Sequence, residues 1–226
     1  MRSHDQRIRV VLALLFTLAV LHFVPNRILV LVVLVGFWSV IFYPFTTGEV
    51  ILFVVAAAVF LLQDYLSLKA GLFKFKDEDI LLVPYYEPLL WGFYFLSMKR
   101  FISGGEKTAV SVDRKSVAAT VLTSMMFPLF SADSHALFIA TACSTAFLFV
   151  LFHTRLDLYY ALYALVLGFI IEMFGVSTGL WSYPAPDFLG IPYWFATMWI
   201  SVGLLGRRFL IPATEWLAER MAGQRA

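Results

Sequence analysis

Residues 64–91 read DYLSLKAGLFKFKDEDILLVPYYEPLLW, and residues 172–199 read EMFGVSTGLWSYPAPDFLGIPYWFATMW. The second stretch begins 108 positions after the first, and at that spacing the two match without a gap. Asp64 falls on Glu172, Gly71 on Gly179, Phe73 on Trp181 and Phe75 on Tyr183. Pro84-Tyr85-Tyr86 then meets Pro192-Tyr193-Trp194, and Trp91 meets Trp199. Each copy is an acid, six residues, Gly-Leu-aromatic-x-aromatic, eight residues, Pro-Tyr-aromatic, then Trp. A fixed internal spacing is the mark of a duplicated unit. The same offset carries the apolar span 8–24 onto 116–132 and 28–45 onto 136–153.

The flanks of both stretches are apolar in long blocks, as helices facing lipid are. Over 226 residues the chain is 61% hydrophobic, 17% aromatic and 14% charged, with a mean hydropathy of +0.84. So little charge cannot cover a soluble domain. The sequence predicts an all-α membrane protein of about eight transmembrane helices arranged as two parallel four-helix repeats. The spans fall at 8–24, 28–45, 49–68, 80–100, 116–131, 135–153, 157–175 and 189–211. Residues 1–101 form the first repeat, 102–115 a cytoplasmic linker, 116–211 the second repeat and 212–226 a cytoplasmic amphipathic tail. In that tail Trp216, Leu217 and Met221 are expected to face lipid, with Glu219 and Arg220 facing water. An even number of spans per half gives both halves one orientation, about an axis along the membrane normal.

The basic residues set that orientation. With the N-terminus inside, the inner segments hold Arg2, Arg7, Arg9, Lys99, Arg100, Lys107, Arg114, Lys115, Arg155, Arg207, Arg208, Arg220 and Arg225. That is 13 of the 17 Lys and Arg residues, so both termini are expected in the cytoplasm, across a bacterial inner membrane. Met1 to Val24 resembles a signal peptide, but no small-residue cleavage signature precedes Pro25, and it is read as a retained helix. Charge confined to helix ends explains the net +2 without nucleic acid as a partner. His153, Arg155 and Asp157 read as snorkelling end residues, and the single cysteine, Cys143, as a small buried hydrophobe.

Carboxylates inside a bilayer cost roughly 2.5–3.5 kcal/mol each on insertion scales and so mark sites. Asp64, Glu87 and Glu172 are the candidates. Ala161, Ala164, Gly168, Glu172 and Gly175 share one helical face, small except for the acid, which places Glu172 inward. Two roles stay open for the acids: chemistry, or bonding a tyrosine or loop amide that fixes the hairpin. The Gly-x-aromatic-x-aromatic strings read either as interfacial belt with a glycine cap or as a roof whose π faces meet an apolar substrate. Substrate-facing candidates are Phe73, Phe75, Tyr85, Tyr86, Trp91, Trp181, Tyr183, Tyr193, Trp194 and Trp199. Pro84 and Pro192 are expected at the first turns of their helices. His4, His22, His135 and His153 lack ligand spacing, and no cofactor or metal is called for.

The string Asp-x6-Gly-x-aromatic-x-aromatic…Pro-x-x-Glu-x3-Trp over Asp64–Trp91, and more loosely Glu172–Trp199, resembles the integral membrane lycopene cyclase domain of carotenoid biosynthesis. That family pairs an acid near a helix end with a Gly-x-Trp-x-[Phe/Tyr] turn and a Pro-x-Glu-Glu start to the next helix. Here the Glu pair is reduced to Glu87, and Phe195 replaces it in the second copy. The resemblance implies an isomerase-type cyclase acting on an apolar isoprenoid. A neutral buried acid, from among Asp64, Glu87 and Glu172, would protonate an alkene, and aromatic walls would shield the cation. Integral membrane meroterpenoid cyclases are similar in style. The alternatives are a hydrophobe- or lipid-binding protein or transporter using the same cavity, a structural subunit without catalysis, and another lipid enzyme. Partners are an apolar lipid or isoprenoid and membrane lipids, with assembly into homo- or hetero-oligomers left open.

Overall fold

The structure, a computed structural model, describes residues 2–224. Arg225 from the inner charge count lies outside them, as does the side chain of Arg2. Among the described residues nine α-helices run α1 (Arg2–Phe23), α2 (Arg27–Ile41), α3 (Thr47–Lys69), α4 (Glu87–Ser103), α5 (Arg114–Phe130), α6 (Ser134–Leu151), α7 (Arg155–Thr178), α8 (Trp194–Leu205) and α9 (Ile211–Gly223). A π-helical turn, Gly206–Leu210, joins α8 to α9. Two short strands, β1 (Lys74–Phe75) and β2 (Trp181–Ser182), are the only sheet among the described residues.

Four helical stretches, His4–Phe23, Thr47–Lys69, Ser134–Leu151 and Arg155–Thr178, are long and apolar enough to cross a membrane, and Arg27–Ile41 is shorter but equally apolar in character. Their outer faces carry Leu15, Val32, Val54, Ile139 and Leu162, each more than half exposed. A soluble monomer does not leave so much apolar surface bare. α4 is different: every residue from Leu90 to Arg100 is buried, so this helix is the axis of the first half. It packs on α3 and α1, whereas α8 packs on α7 and α6. Between helices in lipid there is little hydrophobic drive, so close fit matters. α7 and α8 meet at Gly203, where a Cβ would lie 2.4 Å from the Tyr160 carbonyl oxygen.

Buried ion pairs fix the helix ends opposite the strands. Arg100 on α4 donates Nε to Glu49 Oε1 at 2.7 Å and Nη2 to Oε2 at 2.8 Å. Its remaining donors reach the carbonyls of Phe42 (2.6 Å) and Pro44 (3.0 Å), where α2 ends. Glu49 also closes a capping box with Thr46 at the start of α3. The same arrangement recurs 108 residues on: Arg208 donates Nε to Asp157 at 2.7 Å, Arg207 bonds it too, and Asp157 closes a capping box with Thr154. Asp157 is fully buried, so it does not snorkel; it is a doubly paired acid anchoring α7 to the π turn.

Other expectations shift. α4 and α8 begin at Glu87 and Trp194, not 80 and 189. The intervening residues form tight turns with bridges Ile80–Val83 and Phe188–Ile191, and Leu81, Leu82, Leu189 and Gly190 have positive φ. Asp79 and Asp187 hold these turns by accepting from the backbone N–H of Tyr85 (3.3 Å) and Tyr193 (2.8 Å). Pro84 and Pro192 therefore precede their helices, and Pro88 takes the first turn of α4. Cys143 is exposed. α9 is docked: Glu215 is buried and pairs with Lys99 at 2.7 Å, while Trp216, Leu217 and Met221 stay exposed.

Replacing Arg100 by Met should cost about 3–5 kcal/mol, because Glu49 would keep a buried, uncompensated charge. A thermal melt in detergent reads it, and an unchanged melting temperature would refute the anchoring role.

Candidate functional site

β1 and β2 are the outer parts of the two Gly-x-aromatic-x-aromatic strings. Gly71 (φ +76°) and Gly179 (φ +71°) turn the chain out of α3 and α7 in the left-handed conformation that glycine adopts without penalty. The strings then run antiparallel, Lys74 opposite Ser182 and Phe75 opposite Trp181. Lys76 N–H donates to Leu180 O at 2.8 Å. The reciprocal position at the same spacing is Pro184, which has no N–H to donate. The aromatic side chains interleave, Phe73 with Tyr183 (5.9 Å between centroids) and Phe75 with Trp181 (5.8 Å). Further in, the Trp91 and Trp199 rings stack at 5.2 Å with 18° between planes.

These rings wall a cavity of about 200 Å³ into which Asp64, Glu87 and Glu172 all face. Among the described residues no Lys, Arg or His lines it. Each acid has a different environment. Asp64 accepts from Trp91 Nε1 at 2.7 Å. Glu172 accepts at 2.7 Å from both Trp181 Nε1 and Tyr183 Oη. Glu87, at the first residue of α4, is 7% exposed, and its Oε2 has no hydrogen-bond partner. Trp199 Nε1 is aimed towards Glu172 but closes no hydrogen bond, although the residue is only 2% exposed.

The three acids are thus brought together, and so are Phe73, Phe75, Trp91, Trp181, Tyr183, Trp194 and Trp199. Tyr85, Tyr86 and Tyr193 are not. Tyr85 and Tyr193 are exposed and serve through their backbone N–H, and Tyr86 is buried outside the cavity. The bonds to Glu172 also realise the hairpin-fixing role, since they tie helix α7 to its own turn. Sequence reasoning missed the wall given by α5, α6 and α8: Thr120, Thr123, Phe127, Thr141, Met198 and Val202. Their only advance signal was hydroxyl residues recurring in apolar spans. Thr123–Ser144 (2.8 Å), Thr141–Thr197 (2.8 Å) and Thr145–Ser201 (2.9 Å) bond across helices there. Among the cavity residues Val59 on α3 and Ser124 on α5 are exposed, so the mouth lies between these two helices, on the apolar side surface. No metal-binding group of His, Cys, Asp and Glu forms among the described residues.

Gly168 lets Trp199 lie against α7: a Cβ there would come within 2.3 Å of the indole. Gly168→Ala should therefore overpack the site at a cost of about 1–3 kcal/mol. Trp91→Phe, leaving Asp64 without its donor, should cost a similar amount. Thermal melts of both variants check this, and wild-type stability in either would exclude the contact concerned as a constraint.

No known family's sequence profile matches the chain, and no curated protein is similar to it in sequence. Its fold is similar to the crystal structure of a mycobacterial Insig homolog from Mycobacterium vanbaalenii, with a TM-score of 0.64 and 15% identity, over 78% of this chain and 97% of that one. A cross-linked trimer of a variant of the same protein matches equally, with a TM-score of 0.64 and 15% identity. The likeness is one of fold, and the protein is a helical integral membrane protein.

Proposed function

We propose that the protein binds an apolar, lipid- or isoprenoid-like molecule inside the membrane, in the cavity walled by the two motif strings. The observation that carries this is a cavity lined almost wholly by aromatic and aliphatic groups, with a few convergent acids and a mouth on the lipid-facing side. Such a mouth admits a molecule directly from the bilayer, without passage through water. The fold likeness is to an Insig homolog that is itself seen as a cross-linked trimer, which fits a chain that associates with copies of itself.

The same proposal includes the arrangement in the membrane: eight crossings in two parallel four-helix repeats, both termini cytoplasmic, in a bacterial inner membrane. Support comes from contacts between residues 108 apart. Lys74 pairs with Ser182 and Trp91 stacks on Trp199, as two copies meeting at a two-fold axis would. The ion pairs Glu49–Arg100 and Asp157–Arg208 stand at the same spacing.

A second reading, acid-initiated cyclisation of a polyene as in the lycopene cyclases, is favoured by one observation. Glu87 has a free carboxyl oxygen among aromatic walls, where a donor to an alkene would need one. A proton passing from a neutral acid to the alkene would leave a cation that closes a ring, and a carboxylate would recover a ring proton.

Solvent extraction and mass spectrometry of the purified protein test the binding reading. Wild type should carry a co-purified hydrophobe, and Val202→Trp, which fills the cavity, should melt normally but carry little. Equal extracts from both would refute it. Expression in a lycopene-accumulating host, beside Asp64→Asn and Glu172→Gln, tests the second. A cyclised product lost in the variants would establish catalysis, and unchanged pigment would remove lycopene as substrate.

A further inference from the structure

Two buried polar atoms in the cavity lack partners, and they have opposite demands. Trp199 Nε1 is a donor only, whereas Glu87 Oε2 accepts, or donates when its carboxyl is neutral. They belong to one neighbourhood. Glu87 stands four residues before Trp91 on α4, hence on the same helical face, and the Trp91 ring lies on Trp199. Buried polar atoms are almost always paired in native proteins, so two orphans in one cavity describe what the occupant must bring.

On the basis of the binding reading above, we propose that the bound molecule carries a single hydroxyl group, which accepts from Trp199 Nε1 and bonds the free oxygen of Glu87. A hydroxyl both donates and accepts, so it serves the indole N–H and also a carboxyl in either protonation state. A pure hydrocarbon leaves both orphans buried. An ammonium has donors alone and cannot serve Trp199. One polar end is enough, because the position matching Glu87 in the second half is Phe195. The apolar remainder would run along Phe60, Phe127 and Val202 to the mouth at Val59 and Ser124.

The test uses the full chain in lipid nanodiscs with tritiated hexadecan-1-ol, hexadecane and hexadecylamine, on wild type, Glu87→Gln, Glu87→Leu and Trp199→Phe, each with a melting curve. Wild type should hold the alcohol about tenfold more tightly than the alkane. Glu87→Leu should bring that ratio close to one, Trp199→Phe should lower it, and Glu87→Gln, whose amide both donates and accepts, should keep most of it. Should Glu87→Leu fail to fold, the Trp199→Phe ratio decides, since the volume lost with the five-membered ring affects alcohol and alkane alike, whereas the lost N–H affects only the alcohol. Equal affinity of wild type for alcohol and alkane would overturn the hydroxyl while leaving the cavity reading intact, water then filling the polar site. Preference for the amine would overturn it in favour of a cationic head group. Retention of none of the three would sink the binding reading itself, and the hydroxyl with it.

Discussion

The stack of Trp91 on Trp199, continued outward by the pairing of β1 with β2, is the contact on which the remaining geometry depends. Each tryptophan belongs to a different half, and each is directed to the acid of its own half. Trp91 donates to Asp64, and Trp199 is turned towards Glu172. Bringing the indoles face to face therefore brings the acids into one cavity, which neither half could enclose alone. The strands add the lid: their interleaved rings cover the acids, and main-chain bonds hold those rings in register.

Holding this contact demands rigidity from the opposite helix ends, and the ion pairs supply it. Arg100 uses its guanidinium fork on Glu49 and two carbonyls at the end of α2. It thereby joins α2, α3 and α4 at one point. Arg207 and Arg208 do likewise for α7 and the π turn through Asp157. A buried pair of this kind contributes little net stability compared with apolar packing, but it is costly to break or slide. It serves to fix register, and register is what an aromatic stack between two halves requires.

Much of this was legible in the sequence, and the limits have physical causes. The motif spacing could be read because glycine caps, acids and tryptophans are rare, directional residues whose recurrence is informative. The ion pairs obey the same 108-residue spacing, yet from sequence Arg100 and Arg208 read only as inner-side charge. A cation at a helix end reads the same whether it snorkels or pairs, and only packing decides. From sequence α4 and α8 read as starting early only because Ile80–Val83 and Phe188–Ile191 continue the apolar pattern, which extends the hydropathic span beyond the helix. Hydropathy cannot see that Asp79 and Asp187 bond backbone N–H groups one or two residues before the helices open. Tyr85 and Tyr193 entered the candidate site for their rings, whereas the structure uses their amides. The α5 wall escaped because small hydroxyl residues in an apolar span give no hint of which neighbour they face.

The two halves differ most where they meet the cavity, and the differences have one direction. In the second half Trp181 and Tyr183 each donate to Glu172, while the matching Phe73 and Phe75 have nothing to donate to Asp64. Phe60 lies on Trp91 at 4.2 Å between centroids, but its counterpart Gly168 yields that space to Trp199 itself. The second half has thus committed its acid to holding its own turn. The first half has kept Glu87 beside Asp64 and left an oxygen unbonded. Two identical copies would enclose a symmetric cavity suited to a symmetric occupant. Under the proposed duplication, divergence has given one wall the structural duty and the other the exposed chemistry, so the cavity has a polar side and an apolar side. An occupant with one polar end and an apolar body is the shape that such a cavity orients.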